Sequence, residues 1–291
     1  MKPLTVGMNL ERNTTQLFTP RQIGNLMNYL DLFPSQDYLN EIRKDLYHSE
    51  GPGYYIIKGF LNETFYKHML HFWFEEIIPS KSHTLINEMD KPNLFYQGSP
   101  NYYYPNPYGM TYFNYFWNKP FDEVTYAVSW KIVEFRNLVQ SKNFFNYMFP
   151  NEGRSVGFRM IQTTNGETVV PYHTDWLEKN FDPSMLQATL ILSDEGKDYS
   201  GRGMVMKTNQ GKEVSFGQDL GLEKGDLVLW RYNNEHAVVD VKSEKGQMGF
   251  VRMIFPPEKI HPKPDKVKLS EHSAKTLMSE VKSRVKKKVI K

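Results

Sequence analysis

SVGFRMIQT (155–163), ETVVPYH (167–173), LQATLILS (186–193), GMVMKT (203–208), KEVSFG (212–217), DLVLWRY (226–232), HAVVDVKS (236–243) and MGFVRMIF (248–255) follow one another along the chain, separated by Gly, Asn, Asp and Lys. Each is a short alternating or β-branched run bounded by turn-forming residues, the pattern of a strand rather than a helix. Eight such runs at this spacing predict a double-sheet jelly roll or a closed barrel.

Upstream of Ser155 the pattern is mostly helical. PRQIGNLMNYLDLF (20–33) and SQDYLNEIRKDLYH (35–48) read as two short helices, the second opened by Ser35 as N-cap. Gly53 to Phe60 is β-rich and bounded by glycines, and from Asn62 onward Phe65, Met69, Phe72 and Trp73 recur at helical spacing, so a strand followed by a helix is expected. A further helix is predicted from about Asp122 to Tyr147, with Val124, Ala127, Val128, Ile132, Val133, Phe135 and Leu138 as its apolar residues.

Between them lies FYQGSPNYYYPNPYGMTYFNYFW (95–117), in which eleven of 23 residues are aromatic and the prolines and glycines are expected to break any regular element. It either packs the helical layer onto the sheet or forms a lid over a pocket, with Tyr102, Tyr103 and Tyr104 the residues expected to reach that pocket. The large area that aromatics bury favours packing.

At 291 residues the chain suits one sizeable domain, expected over 1–260 with a helical half (1–150) and a β-rich catalytic core (151–256), followed by a basic tail (261–291). Ten Lys or Arg against Asp265, Glu271 and Glu280 give that tail a charge of +7, so with a total of +3 the remainder carries 3 − 7 = −4. The tail reads as a solvated end or as a surface for an anionic partner. With its charge confined there, the acidic body makes a nucleic-acid partner a poor expectation.

There is no cysteine, which removes disulfide frameworks, thiolate nucleophiles, zinc ribbons and iron–sulfur clusters together. Any metal must therefore sit on His, Asp or Glu. The N-terminal residues have no apolar h-region and no apolar run reaches the roughly 18 residues of a spanning helix, so a cytoplasmic protein without a membrane span is expected.

Pro171-Tyr172-His173-Thr174-Asp175-Trp176 places two metal-capable side chains at i and i+2, on one face of an extended segment. A core histidine beside a turn-capping aspartate looks the same, so the pair alone decides little. His236 adds a third group, at the start of the strand after DLVLWRY, while the other histidines (48, 68, 71, 83, 261 and 272) fall in helical or terminal segments. Two histidines and one carboxylate on a sheet form a facial triad that leaves three positions of an octahedral iron open.

Arg252 is the second anomaly, a guanidinium in the otherwise apolar strand GFVRMIF. It either meets a carboxylate of a chelating 2-oxoacid or pairs with an internal Asp or Glu. In GFRMIQT one face offers Arg159, Ile161 and Thr163 and the other Phe158, Met160 and Gln162, and only one of them points inward.

HTD at 173–175, then His236, then Arg252 on the following strand, together resemble the 2-oxoglutarate/Fe(II)-dependent dioxygenase superfamily. EKGDLVLW (223–230) resembles its glycine–aspartate turn and YSGRGMVM (199–206) its central strand, and GPGYYIIKGFLNETFYKHML (51–70) is similar to the opening of the phytanoyl-CoA dioxygenase branch. The second half is also similar to prolyl hydroxylases, and the resemblance spans residues 51–256.

The resemblance implies an α+β chain with a mainly β core, a double-stranded β-helix (jelly roll, cupin-like) with the N-terminal helices packed on one sheet. It implies Fe(II) on His173, Asp175 and His236, 2-oxoglutarate as co-substrate with its distal carboxylate on Arg252, and O2 as oxidant. Arg252 follows His236 by 16 residues, a longer gap than is usual in the superfamily, with the excess in KSEKGQMG, and Lys245 is the competitor for its role. The prolyl-hydroxylase likeness favours Arg159 and Thr163 for the co-substrate pocket, with Gln162, Tyr172 and Thr189 behind them.

The implied reaction is hydroxylation of an unactivated C–H bond with release of succinate and CO2. Asp175 stands where halogenating relatives lack a carboxylate. A small-molecule substrate, an amino acid or natural-product intermediate, is expected ahead of a protein side chain. A cupin-type binding module without turnover is the alternative from another class.

Overall fold

Ser35, Asn62 and Asp122 each stand immediately before a helix, and each accepts a hydrogen bond from a first-turn backbone N–H: Tyr38 N to Ser35 Oγ at 3.2 Å, Phe65 N to Asn62 Oδ1 at 3.3 Å and Thr125 N to Asp122 Oδ2 at 2.8 Å. They open α1 (Gln36–Tyr47), α2 (Glu63–Leu70) and α3 (Glu123–Val139). The structure, a computed structural model, describes residues 35–80, 93–96, 109–116, 122–150, 153–175, 182 and 184–259. The expected helix at 20–33, Tyr102 to Tyr104 and the basic tail lie outside the described residues.

α2 passes into a π-helical segment, His71–Ile77, and a short 3-10 turn, Ile78–Ser80. α3 stops eight residues before the expected Tyr147. Ser141 takes a left-handed φ of 56°, and Asn143 Oδ1 captures the Phe145 N–H at 2.9 Å. The helix closes on its own backbone there, with Ser141 N donating to Leu138 O and Lys142 N to Asn137 O, both at 2.9 Å. Arg43 of α1 donates to the last carbonyls of α3, Val139 O at 2.8 Å and Leu138 O at 2.9 Å.

The strands are β1 (Tyr54–Ile57), β2 (Asn93–Tyr96), β3 (Gly109–Tyr115), β4 (Arg154–Thr163), β5 (Asn165–His173), β6 (Leu186–Ile191), β7 (Gly203–Lys207), β8 (Glu213–Ser215), β9 (Leu227–Arg231), β10 (His236–Lys242), β11 (Phe250–Ile254) and β12 (Pro257–Lys259). They form two antiparallel sheets, a larger one in the order β1-β9-β6-β11-β4-β3-β2 with β12 also on β4, and a smaller one in the order β5-β10-β7-β8. All eight runs quoted from Ser155 to Phe255 are strands.

The expectation that residues 95–117 hold no regular element is corrected: β3 lies within them, hydrogen-bonded along its length to β4. Both of its faces are buried, so the run is aromatic on both sides instead of alternating. Tyr112 joins the helical side, and Phe113 meets Tyr115 edge-on at 4.8 Å on the other. These described aromatics pack.

The larger sheet buries two faces with different partners. Phe158, Met160, Leu190, Leu229, Val251 and Met253 share a core with Ile42, Leu46, Trp73 and Val128 of the helical layer. Ile191, Val228, Trp230 and Phe250 point the opposite way and meet Val169, Met204, Met206 and Val238 of the smaller sheet. The two sheets therefore face each other across an apolar layer. Among the described residues no helix is long and apolar enough to cross a membrane.

Two turns fix strand placement where side chains alone do not. Gly249 has φ +83°, and a Cβ there would meet Thr163 O at 2.4 Å, so only glycine lets the polar hairpin close onto β11. Asp226, before β9, accepts from Gly59 N at 2.8 Å, Glu223 N at 2.9 Å and Lys58 Nζ at 2.9 Å, which anchors the β1–α2 connection to the strand leading to His236. This is the structural work of the GD turn.

Trp73 is fully buried against Phe72, Tyr112 and Phe158, and its Nε1 donates to Thr125 Oγ1 at 2.7 Å. Trp73→Ala is expected to destabilise the fold by about 3–5 kcal/mol in equilibrium urea unfolding, and Trp73→Phe by distinctly less. A Trp73→Ala loss below about 1 kcal/mol would show that the helices do not brace the sheet there.

Candidate metal centre

The centre is assembled by strand pairing. β5 ends on His173 and β10 begins on His236, and the antiparallel register sets these two residues directly opposite each other. Paired Cβ atoms in a sheet lie only about 4.5–5.5 Å apart. The two imidazole centroids are 4.3 Å apart. Asp175 follows two residues beyond His173, where its N–H donates to Tyr232 O at 3.2 Å and turns the carboxylate back toward both rings.

Each imidazole is oriented through Nδ1, which lies 2.8 Å from Pro171 O in His173 and 3.0 Å from Asn234 O in His236. A carbonyl partner makes Nδ1 the protonated nitrogen and leaves the Nε2 lone pair available to a metal. Both Nε2 atoms point at Asp175 Oδ1, from 3.6 Å and 3.7 Å. The three side chains offer ligand atoms all within 4.8 Å of one another, which suits one small cation.

The electrostatics support a carboxylate in its charged form. Burial pushes the Asp175 carboxyl up, but the His173 contact, His236 and Arg159 together hold it below the ordinary carboxylate range. The Asp175 contact raises His173 against the opposing effects of burial and Arg252. Burial lowers His236, with Asp175 opposing.

The remaining residues singled out in the sequence divide by strand face. Arg252, 7% exposed in β11, lies with its guanidinium carbon 5.0 Å from the Phe250 ring centroid, and its charge reaches both imidazoles. Arg159 and Thr163 lie on the same side of the sheet, with β11 paired to β4 so that Arg252 stands opposite Ile161 and Phe250 opposite Thr163. Arg159 sits over Phe113 at 5.8 Å and donates Nη2 to Glu258, while its Nε is buried without a hydrogen-bond partner.

Gln162 is on the helical side, donating to Met248 O at 2.7 Å. Tyr172 is exposed on the smaller sheet, with its hydroxyl on Glu213 and Lys207 Nζ 5.6 Å from its ring. Thr189 is buried and accepts from Trp230 Nε1 at 2.9 Å. Lys245 is exposed on the turn before β11.

Sequence reading missed Trp230, Tyr232, Phe113 and Glu258. Trp230 packs edge-on against His236 at 4.5 Å, and Tyr232 supplies the carbonyl that fixes Asp175. Both lie at alternate positions of DLVLWRY, so period two was the available signal. Glu258 carries no such signal.

No family model and no curated protein matches the chain. Among solved structures it is similar to a Pseudomonas putida prolyl-4-hydroxylase, at 13% identity and TM-score 0.48 over 77% of this chain and 100% of that one. It is also similar to the non-heme alpha-ketoglutarate-dependent epimerase SnoN from nogalamycin biosynthesis, at 11% identity and TM-score 0.49 over 80% and 90%, respectively. A third is a full-length Neurospora crassa protein in complex with alpha-ketoglutarate, at 10% identity and TM-score 0.48 over 89% and 94%. At TM-scores below 0.5 the overlap assigns this chain neither ligand nor reaction.

Asp175→Ala is expected to leave the circular dichroism spectrum unchanged while abolishing stoichiometric Co(II) binding in equilibrium dialysis. His173→Ala and His236→Ala should do the same. Retention of one tight Co(II) equivalent by all three variants would sink the cluster as a metal centre.

Proposed function

We propose that the chain is an Fe(II)- and 2-oxoglutarate-dependent oxygenase that hydroxylates a C–H bond of a small molecule. The observation that carries this reading is the convergence of two Nε2 atoms and one charged carboxylate within 4.8 Å. That donor set, with both Nδ1 atoms tied to carbonyls, fits a ferrous ion with open positions. In this reading His173, Asp175 and His236 hold the ion, and Arg252, with Thr163 on the same sheet face, holds 2-oxoglutarate.

Together these groups supply one chemistry when bound: 2-oxoglutarate, O2 and a substrate C–H bond give succinate, CO2 and an alcohol. The chain's own residues do the positioning. Carbonyls of Pro171 and Asn234 fix the imidazole tautomers, Trp230 backs the His236 ring, and Tyr232 O sets the turn that aims Asp175. Asp175 as a third protein ligand supports hydroxylation ahead of halogenation, which needs that position for a halide.

The facing antiparallel sheets support a double-stranded β-helix, with residues 1–260 acting as one catalytic unit and 261–291 as its tail. Arg159 puts charge on the site face, with the fully buried Phe113 and Tyr115 packed behind it, which supports a compact polar substrate. Burial pushes the Tyr115 hydroxyl up to about 12, against the lowering effect of Arg159, so this phenol stays protonated as a hydrogen-bond donor.

Anaerobic titration of metal-free protein with Fe(II) and then 2-oxoglutarate is expected to produce the visible charge-transfer band of a chelated 2-oxoacid, absent in Asp175→Ala. Iron binding without a band, in folded protein, would favour a binding module. Arg252→Ala should weaken 2-oxoglutarate roughly tenfold or more while iron is retained, since a charge-assisted pair is lost. Lys245→Ala should leave both unchanged, and the reverse pattern would reassign the co-substrate anchor. Succinate release stimulated by peptides and by no small molecule would move the substrate class to protein side chains.

A further inference from the structure

Beyond the end of α3 the chain lays out an aromatic surface that the proposed chemistry does not use. Phe145 and Phe149 are 51% and 57% exposed. Each meets the Trp130 ring at 6.0 Å, and they meet each other at 6.3 Å. Trp130 continues inward through Tyr126 at 5.7 Å and Phe116 at 6.4 Å. Exposed large apolar side chains are ordinarily scattered singly, whereas these rings make one contiguous face.

The backbone beneath them is held in place. Asn137 Nδ2 donates to Phe144 O at 2.7 Å and Asn146 O at 3.1 Å, and Tyr147 is locked at φ 59° with its carbonyl accepting from Val156 N at 2.7 Å. Hydrogen-bonded and left-handed positions so close together in a short loop order the face before anything covers it.

The same chain carries a cover of matching character. β12 runs antiparallel to β4 with Lys259 opposite Arg154, so the end of β12 lies at the start of β4, the strand that follows Phe149 in sequence. Residues 260–291 follow, outside the described part of the structure. Within them Ala274, Leu277, Val281, Val285 and Val289 recur every three or four positions, the spacing of one apolar helical stripe, while Lys275, Lys282, Arg284 and Lys286 fall between them. The fourteen residues 260–273 can span up to roughly 46 Å, ample for the distance around one domain face. Residues 261–291 carry +7 and the rest of the chain −4, so the segment is attracted to the body of its own chain.

We infer that residues 274–289 dock their apolar stripe on the face formed by Trp130, Phe145 and Phe149 of the same chain. β12, from which the linker to this segment leaves, also carries Glu258, the partner of Arg159.

The full chain with p-benzoylphenylalanine in place of Phe149 keeps an aromatic ring at the face and reports its occupant. After irradiation and digestion, mass spectrometry is expected to find the adducts in residues 274–289 of monomeric protein. Adducts in residues 1–34, in a second copy, or in no peptide at all would overturn the assignment. Independently, Leu277→Asp with Val281→Asp should raise binding of a hydrophobic fluorescent dye several-fold over the parent chain. Adding Phe145→Ser and Phe149→Ser should remove that gain. Dye binding unchanged by the tail substitutions would also overturn it. Neither readout depends on iron or on turnover.

Discussion

The register between β5 and β10 is the constraint on which the centre depends. His173 and His236 are far apart in sequence, and only the pairing that sets them opposite each other lets one carboxylate reach both rings. A slip of one residue would send one imidazole to the other face of the smaller sheet, because side-chain direction alternates with period two. The register is protected by burial. Val169, Val238 and Val241 are committed to the layer between the sheets, and shifting them would expose apolar area on both strands. The register shift beside His236, where β5 advances three residues against two on β10, shows that the ladder is adjusted locally at the point where the metal-capable side chains are presented.

The larger sheet contributes by holding charge on a surface that is otherwise apolar. Arg252 and Arg159 stand on neighbouring strands and face the side away from the helices. Arg159 is matched by Glu258, and it adds a small share to the lowering of Asp175 that His173 and His236 mainly supply against burial. Arg252 instead opposes protonation of both imidazoles, which favours the neutral rings that metal ligation requires.

Much of this was legible in the sequence because alternation is a strong signal wherever one face of a strand differs from the other. The eight runs from Ser155 to Phe255 all appear as strands, and period and position alone group His173, Asp175 and His236, which the fold brings together. β3 was not legible, since burial on both faces removes alternation and GMTYFNY reads as a patternless aromatic run. The end of α3 was misjudged because Ser141 and Asn143 act through backbone conformation and a local hydrogen bond, which apolar spacing does not register. Glu258 was invisible for another reason: its pairing with Arg159 spans almost a hundred residues and exists only once β12 has joined β4.

The helical layer and the candidate metal centre, though on opposite sides of the sheet, are mechanically one system. Phe158 and Met160 of β4 are packed against Trp73 and its neighbours, while Arg159 between them projects to the other face. In a close-packed interior the backbone cannot rotate to relieve one face without disturbing the other. The strand position that aims Arg159 is therefore set by aromatic packing on the far side, and the same holds for Arg252 between Val251 and Met253. A site of charged groups needs side chains held to fractions of an ångström. Here the rigidity comes from the apolar face directly behind each arginine, built largely of aromatic residues of the helical layer and β3.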